Sequence, residues 1–346
     1  MRMRAPLAAL AFVAAAVTVS GQQPELPRFR SGVDLVDVTA TVSDAAGRFV
    51  PGLRQEDFSI FENGIQQEIS YFSAERVPVS LGIILDTSGS MAGEKINDAR
   101  AALDRFVFDL LDERDEVFLY RFSDHPVLVQ DWTTDRASLS RAMSRITPNG
   151  GTSMYDAVLE ALPLAARGQH QKKALVVISD GNDTSSIATL RDVRNALRDS
   201  PVLVYAIGID ADAIQDYRRV PPTPRMPGRP PTPFPPRMPG TPGGRWPVFP
   251  QIFGQPGGRV SSTGGDDHVN DVALRDMTGE NGGRTEIVRS GRDLGRATTS
   301  IADELSKQYS LGYVSSLERD GRWHDIRVDV RNRAWRVRAR RGYVAR

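Results

Sequence analysis

The run Val79-Ser80-Leu81-Gly82-Ile83-Ile84-Leu85, broken at Asp86-Thr87-Ser88-Gly89-Ser90, decides the fold. A continuous apolar stretch that ends in loop-forming residues is the pattern of a strand buried on both faces, which belongs in a mostly parallel sheet covered by helices. Where the strand breaks, a carboxylate and two hydroxyls stand at i, i+2 and i+4. These are three hard oxygen donors around one point, and hard oxygens suit Mg²⁺.

The same rhythm extends on either side. Apolar runs at 81–85, 117–122, 175–178 and 202–209 alternate with helical patterns at 96–111, 138–146, 156–166 and 188–198. Strand and helix in alternation predict an α/β fold, a doubly wound and mostly parallel sheet of Rossmann-like form. Ligands of such sheets bind outside the carboxyl ends of the strands. Asp86 and Asp180 both stand at such ends, Asp180 within Ser179-Asp180-Gly181. Between them Gly150-Gly151-Thr152-Ser153 leads into a helical stretch.

The flanks are β in character. Residues 33–42 alternate, with Val36, Val38, Ala40 and Val42 on one face. Runs at 58–61 and 65–72 enclose Glu62-Asn63-Gly64, a strong hairpin signal. At the other end 309–314, 323–330 and 335–339 alternate, with turns at Asp320-Gly321 and Arg331-Asn332. Neither end holds enough strands for a sheet pair of its own. The two ends are therefore expected to pair into a small β-sandwich-like module with the α/β unit inserted between them.

Composition adds boundaries. The chain has 346 residues, a net charge of +1 and no cysteine. Nearly balanced charge argues against a nucleic-acid protein. The absence of cysteine excludes disulfides, thiolate metal sites and a cysteine nucleophile. Met1-Arg2-Met3-Arg4, an alanine-rich apolar stretch to Val19 and the small Ser20-Gly21 read as a signal peptide cleaved near Gly21-Gln22. No later apolar run is long enough to span a membrane, so the expected location is periplasmic or secreted. Between 220 and 256 prolines recur every few residues among Gly and Arg, with no acidic residue; 211–266 is expected to be an extended or disordered insertion. The α/β pattern resumes with helix 269–278, strand 284–288 and helix 294–308. The chain thus divides into 1–21 (leader), 22–76 (β), 77–308 (α/β with its insertion) and 309–346 (β).

Asp86, Ser88, Ser90, Thr152 and Asp180 together resemble the metal-ion-dependent adhesion site of von Willebrand factor type A (VWA) domains, Asp-x-Ser-x-Ser followed by Thr and Asp on later loops. Gly150-Gly151-Thr152, Asp180-Gly181 and Tyr205-Ala206-Ile207-Gly208 add to the likeness. The flanking Glu56-Asp57-Phe58 to Gly64 and Tyr309-Ser310-Leu311-Gly312-Tyr313 are similar to the VWFA-related family widespread in acidobacterial genomes. The resemblance implies that Ser88, Ser90 and in some states Thr152 coordinate Mg²⁺, with Mn²⁺ or Ca²⁺ as alternatives. Asp86 and Asp180 would act largely through water and hydrogen bonds. It further implies a non-enzymatic adhesion protein whose ion accepts a Glu or Asp from a protein partner. Asn182 and Asp183 are candidates for orienting the ligands.

Other readings compete. Asp-x-Ser-x-Ser taken alone reads equally as a helix cap, with Ser88 or Ser90 capping the helix that follows. A metal-assisted hydrolase would use the same ion, but a Ser-His-Asp site lacks a G-x-S-x-G elbow, and His125, His170, His268 and His324 all fall in expected loops or surface strands. Asp180-Gly181-Asn182-Asp183 lacks the spacing of an EF-hand. Arg331, Arg333, Arg336, Arg338, Arg340 and Arg341 concentrate charge at the C-terminus, with Arg336, Arg338 and Arg340 expected on one solvent face, most simply to protect a sheet edge. A scaffold working through these arginines or the proline-rich insertion is the remaining alternative.

Overall fold

The computed structural model describes residues 35–180, 182–210 and 270–345. The expected leader, the insertion at 211–266, His268 and Gly181 lie outside them. The chain first forms β1 (Leu35–Ser43), β2 (Phe58–Glu62), β3 (Ile65–Gln67) and β4 (Ile69–Ser73). There follow β5 (Val79–Asp86), α1 (Glu94–Arg105), β6 (Glu116–Phe122), β7 (Pro126–Thr133), α2 (Arg136–Ser144), α3 (Met154–Ala166), β8 (Lys172–Ser179), α4 (Leu190–Arg198) and β9 (Leu203–Ile209). After the break come α5 (Asp271–Gly279), β10 (Thr285–Val288), α6 (Gly291–Lys307), β11 (Tyr309–Val314), β12 (Trp323–Val330), β13 (Arg336–Arg338) and β14 (Gly342–Val344).

β5 is buried at every position, as its apolar run requires. It lies in a six-stranded sheet of order β10-β9-β8-β5-β6-β7, parallel except for β7 at the edge. One face packs against α1, α2 and α6 through Ile96, Leu103, Leu139, Met143, Ile301 and Leu305. The other packs against α3, α4 and α5 through Val158, Leu162, Val193, Leu197, Leu274 and Met277. Each such side chain contributes roughly 1.5–3 kcal/mol on full burial. The expected α/β class is therefore the observed one. From β5 the chain moves outward to β6 on one side, then returns to β8 on the other. That reversal opens a crevice at the carboxyl ends of β5 and β8, where Asp86 and Asp180 stand.

Strands from the two ends of the chain interleave in two further sheets, β13-β1-β11-β4 and β14-β12-β2-β3. β1 lies between β13 and β11, and β2 between β12 and β3. Val36, Val38, Ala40, Val42, Phe58, Ile60, Tyr309, Leu311 and Tyr313 fill the space between the sheets, the sandwich-like module expected. The β2–β3 turn uses Asn63 (φ 48°) and Gly64 (φ 82°), both left-handed, as a two-residue hairpin with matched twist demands. The arm expected as one strand over 65–72 divides at Glu68. Ile65–Gln67 stays on β2, while Ile69–Ser73 crosses to pair with β11, where Ile69 and Phe72 reach the core.

Two surface readings are corrected by packing. His324 is buried on β12, with Nδ1 3.2 Å from Glu62 Oε1 and Nε2 3.2 Å from Asp320 Oδ1. Its alternation with exposed neighbours places it inward, where Tyr343 donates to the same Glu62 oxygen at 2.7 Å. Arg338 likewise leaves the arginine face. Its Nη2 lies 2.7 Å from Glu304 Oε2 and its Nη1 donates to Gly283 O at 3.0 Å. Arg340 lies over the Tyr343 ring at 5.5 Å, and burial lowers its pKa.

Glu304 of α6 is the centre of a buried polar cluster. Its Oε1 accepts from Thr41 Oγ1 of β1 at 3.0 Å and from Tyr205 Oη of β9 at 3.0 Å. Its Oε2 lies 3.0 Å from Arg284 Nε and 2.7 Å from Arg338 Nη2. Gln308 donates to Thr41 and Tyr205 at 3.1 and 2.9 Å. One carboxylate thus ties the α/β unit to strands from both ends of the chain.

Candidate metal centre

β5 carries Asp86 to the crevice and leaves it fully buried. Its Oδ1 accepts the Ser88 backbone N–H at 2.8 Å, turning the chain immediately after the strand. Its Oδ2 accepts the Ser179 hydroxyl at 2.5 Å, which joins the ends of β5 and β8. Burial pushes the Asp86 carboxyl up to about 6; the bonds from Ser179 and Ser88 oppose that rise, and the neighbouring Asp180 adds to it.

The hydroxyls continue the chain of contacts. Ser88 Oγ and Ser90 Oγ are 3.0 Å apart, and Ser90 Oγ donates to Asp180 Oδ1 at 2.8 Å. Asp180 Oδ2 receives the Lys95 ammonium at 2.6 Å. The helix-cap reading of this segment fails on geometry. Ser88 precedes the short turn Gly89–Met91 without a side-chain cap bond, and the cap position of α1 is Gly93. Both hydroxyls turn toward each other and Asp180 instead.

The loop of Thr152 is fastened to the first by main-chain bonds. Gly89 N–H donates to Gly150 O at 3.0 Å, and Asn149 N–H donates to Thr87 O at 2.8 Å. Gly150 has φ +75°, and a β-carbon there would come within 2.4 Å of Asp124 Oδ2. Only glycine meets both demands. Asp124 Oδ1 in turn accepts the Gly151 N–H at 2.7 Å. Thr152 is buried, and its N–H donates to Thr184 Oγ1 at 3.1 Å. Four of the five expected residues, Asp86, Ser88, Ser90 and Asp180, thus meet through side chains and their near neighbours. Thr152 is linked through backbone.

Residues 81–182 match the model of the von Willebrand factor type A domain. The chain carries a VWA domain. Among curated proteins, inter-alpha-trypsin inhibitor heavy chain H4 of Sus scrofa is 27% identical over 161 residues, 42% of this chain and 17% of that protein. Its Homo sapiens counterpart is 28% identical over 148 residues, 38% of this chain and 16% of that protein. The matched region is thus about a sixth of the length of these relatives. Among solved structures, a von Willebrand factor type A protein from Catenulispora acidiphila is 12% identical, with TM-score 0.46, covering 92% of this chain and 74% of its own. The vWF domain of the type V pili tip protein Mfa5 from Porphyromonas gingivalis is 20% identical, with TM-score 0.37, over 66% of this chain and 95% of its own.

Several residues at the VWA crevice escaped the sequence reading. Lys95 and Ser179 bond directly to the two carboxylates, and Asp124 and Thr184 hold the Thr152 loop. Asp183, expected to orient ligands, serves the start of α3, accepting from Tyr155 N–H at 2.8 Å and Ser186 Oγ at 2.6 Å. Among the described residues no three His, Cys, Asp or Glu side chains cluster in a way that could hold a metal. The candidate set is different in kind, two carboxylates with hydroxyls. Carboxylates and hydroxyls are hard oxygen donors, the kind that suits Mg²⁺. No helix among the described residues is long and apolar enough to cross a membrane.

Proposed function

We propose that this is an exported binding protein whose VWA domain holds Mg²⁺ at Asp86, Ser88, Ser90, Thr152 and Asp180 and uses it to capture a Glu or Asp of a protein partner. The observation that carries this reading is the continuous run Asp86, Ser88, Ser90, Asp180, with both serine hydroxyls released from helix capping. An ion held largely by neutral hydroxyls keeps enough electrophilicity to accept an outside carboxylate. Both aspartates are occupied by donors of their own chain, Ser88, Ser179, Ser90 and Lys95. Groups so engaged hold the loops in place, which supports a binding role for the crevice. The test is retention of the protein on immobilised peptides ending in a single Glu or, as control, Gln. Retention on Glu in Mg²⁺, lost in chelator and on Gln, is the expected result; retention unchanged by chelator would sink the proposal.

Lys95 places a cationic group where the ion needs negative charge. At 2.6 Å from Asp180 Oδ2 and mostly shielded from solvent, the ammonium competes for the same carboxylate. Lys95→Met should tighten Mg²⁺ binding roughly three- to tenfold, about 1 kcal/mol for a partly exposed pair. Calorimetry with Mg²⁺ alone checks this, and weaker binding would mean that Lys95 serves to orient Asp180.

A further inference from the structure

Directly beside this crevice lies a groove of about 500 Å³, walled by Arg121 of β6, Gln130 of β7, Arg141 of α2, and Arg145 and Asn149 beyond α2. Three guanidinium groups line it and no acidic side chain does. Arg121 and Arg145 form no ion pair with any described carboxylate. Among the described carboxylates Arg141 pairs with Asp135 alone, at 3.7 Å, with the two side chains 62% and 56% exposed, and it donates to Ser138 Oγ at 2.7 Å. An exposed pair of that kind neutralises little. The excess is local, since the chain as a whole carries only +1.

The groove is built onto the candidate metal loop. Arg121 stands opposite Leu85 in the β5–β6 register, about 4.8 Å away across the strands. The next residue, Phe122, accepts both the N–H and the hydroxyl of Thr87 through its carbonyl at 2.8 Å. Asn149, on the opposite wall, donates its N–H to Thr87 O at 2.8 Å. Thr87 lies between Asp86 and Ser88. Both walls are therefore fastened to the peptide that separates two candidate ligands.

We infer that this groove is the second half of the partner site and takes an acidic peptide segment, one carboxylate reaching the ion and the next ones meeting Arg121, Arg141 and Arg145; this rests on the metal-dependent reading above. Guanidinium forks pair with carboxylates in bidentate fashion, and a groove of one sign steers an oppositely charged segment into place. The partner is thus defined by a run of Glu or Asp, beyond the one carboxylate that any such site accepts.

The experiment compares a labelled octaglutamate peptide with a Gly-Ser peptide bearing one Glu, on the full chain in Mg²⁺. Arg145 is exposed, so Arg145→Glu tests the groove without risk to the fold, and Arg121→Glu with Arg145→Glu extends it. Arg145→Glu should weaken octaglutamate about tenfold at low salt, the single-Glu peptide less than about twofold, and Mg²⁺ alone not at all. Rising salt should narrow the difference between the two peptides. Equal binding of the two peptides, or no effect of Arg145→Glu on octaglutamate, would overturn the groove. Loss with chelator but not with Arg145→Glu would leave the ion and remove the groove; loss with Arg145→Glu but not with chelator would do the reverse. A heparin oligosaccharide held more tightly than octaglutamate and released by Arg145→Glu would assign the groove to a polysaccharide and overturn the peptide assignment.

Discussion

Asp86→Ala protein should lose Mg²⁺ affinity by about a hundredfold or more, about 2.7 kcal/mol, and remain folded. The carboxylate supplies charge to the crevice and shapes it, since the Ser88 N–H and the Ser179 hydroxyl both depend on it. Leaving those two donors without a partner costs roughly 1–3 kcal/mol each. Opposing this, burial raises the carboxyl from 3.8 to about 6, a penalty of about 3 kcal/mol at neutral pH that alanine removes. Stability therefore changes little while metal binding collapses. Calorimetry and thermal unfolding together read both, and an unchanged Mg²⁺ affinity would remove Asp86 from the site. The same shift carries a pH signature. Between about pH 4 and 6 the metal-free folded chain holds a proton on Asp86 that the unfolded chain has released, so this group's contribution to stability falls as pH rises through that window. A cation must displace that proton. Mg²⁺ affinity should therefore weaken as pH drops below about 6, and the Mg²⁺-induced rise in melting temperature should shrink with it.

Glu304→Ala is expected to be strongly destabilising, at about 2–4 kcal/mol, since it releases two buried hydroxyls and two half-buried guanidinium groups from one carboxylate. It would leave Arg338 without a carboxylate, leave Arg284 to Glu286 alone at 2.7 Å, and release the hydroxyls of Thr41 and Tyr205. Glu304→Gln keeps an oxygen for the hydroxyls but cannot neutralise the two arginines, so its loss should be intermediate. Urea denaturation of the three proteins orders them. A loss under about 1 kcal/mol for alanine would show that solvent in the adjoining cleft, lined by Thr41, Arg284, Glu304 and Arg338, takes over the charges.

The α/β core was legible because its strands are continuous apolar runs and its helices keep one apolar face. β7 was not: it starts with a proline, sits at an edge and leaves Val127 and Leu128 exposed, so neither alternation nor a buried run marks it. The division of 65–72 between two sheets was hidden for a related reason, since local pattern defines a strand but not which partner receives it. In the candidate site, Asp86, Ser88, Ser90 and Asp180 stand out in the sequence because each lies at or just beyond a strand end, where a polar residue has no packing purpose. Lys95 carried no such mark. It sits at the start of α1, where a lysine ordinarily reads as solvated, and only the approach of β8 gives it a buried partner. Arg338 follows the same rule: alternation told which face it occupies, and only the tertiary structure revealed that the face was covered. His324 shares the inward face of Ile326 and Val328, so there the alternation carried the signal and the polar side chain masked it.

The interleaving of β1 and β2 with β11 to β14 has a consequence for how the molecule forms. Thr41 and Glu304 are 263 residues apart in sequence, and joining such distant segments in an open chain incurs a loop-closure cost that grows with the intervening length. Once the central sheet has folded, β4 leads into it and β11 leads out of it, and these two strands are neighbours. The long separation is then already closed. The α/β unit should therefore fold first and act as the nucleus that recruits both chain ends, with the β module the last part to gain, and the first to lose, protection against amide exchange.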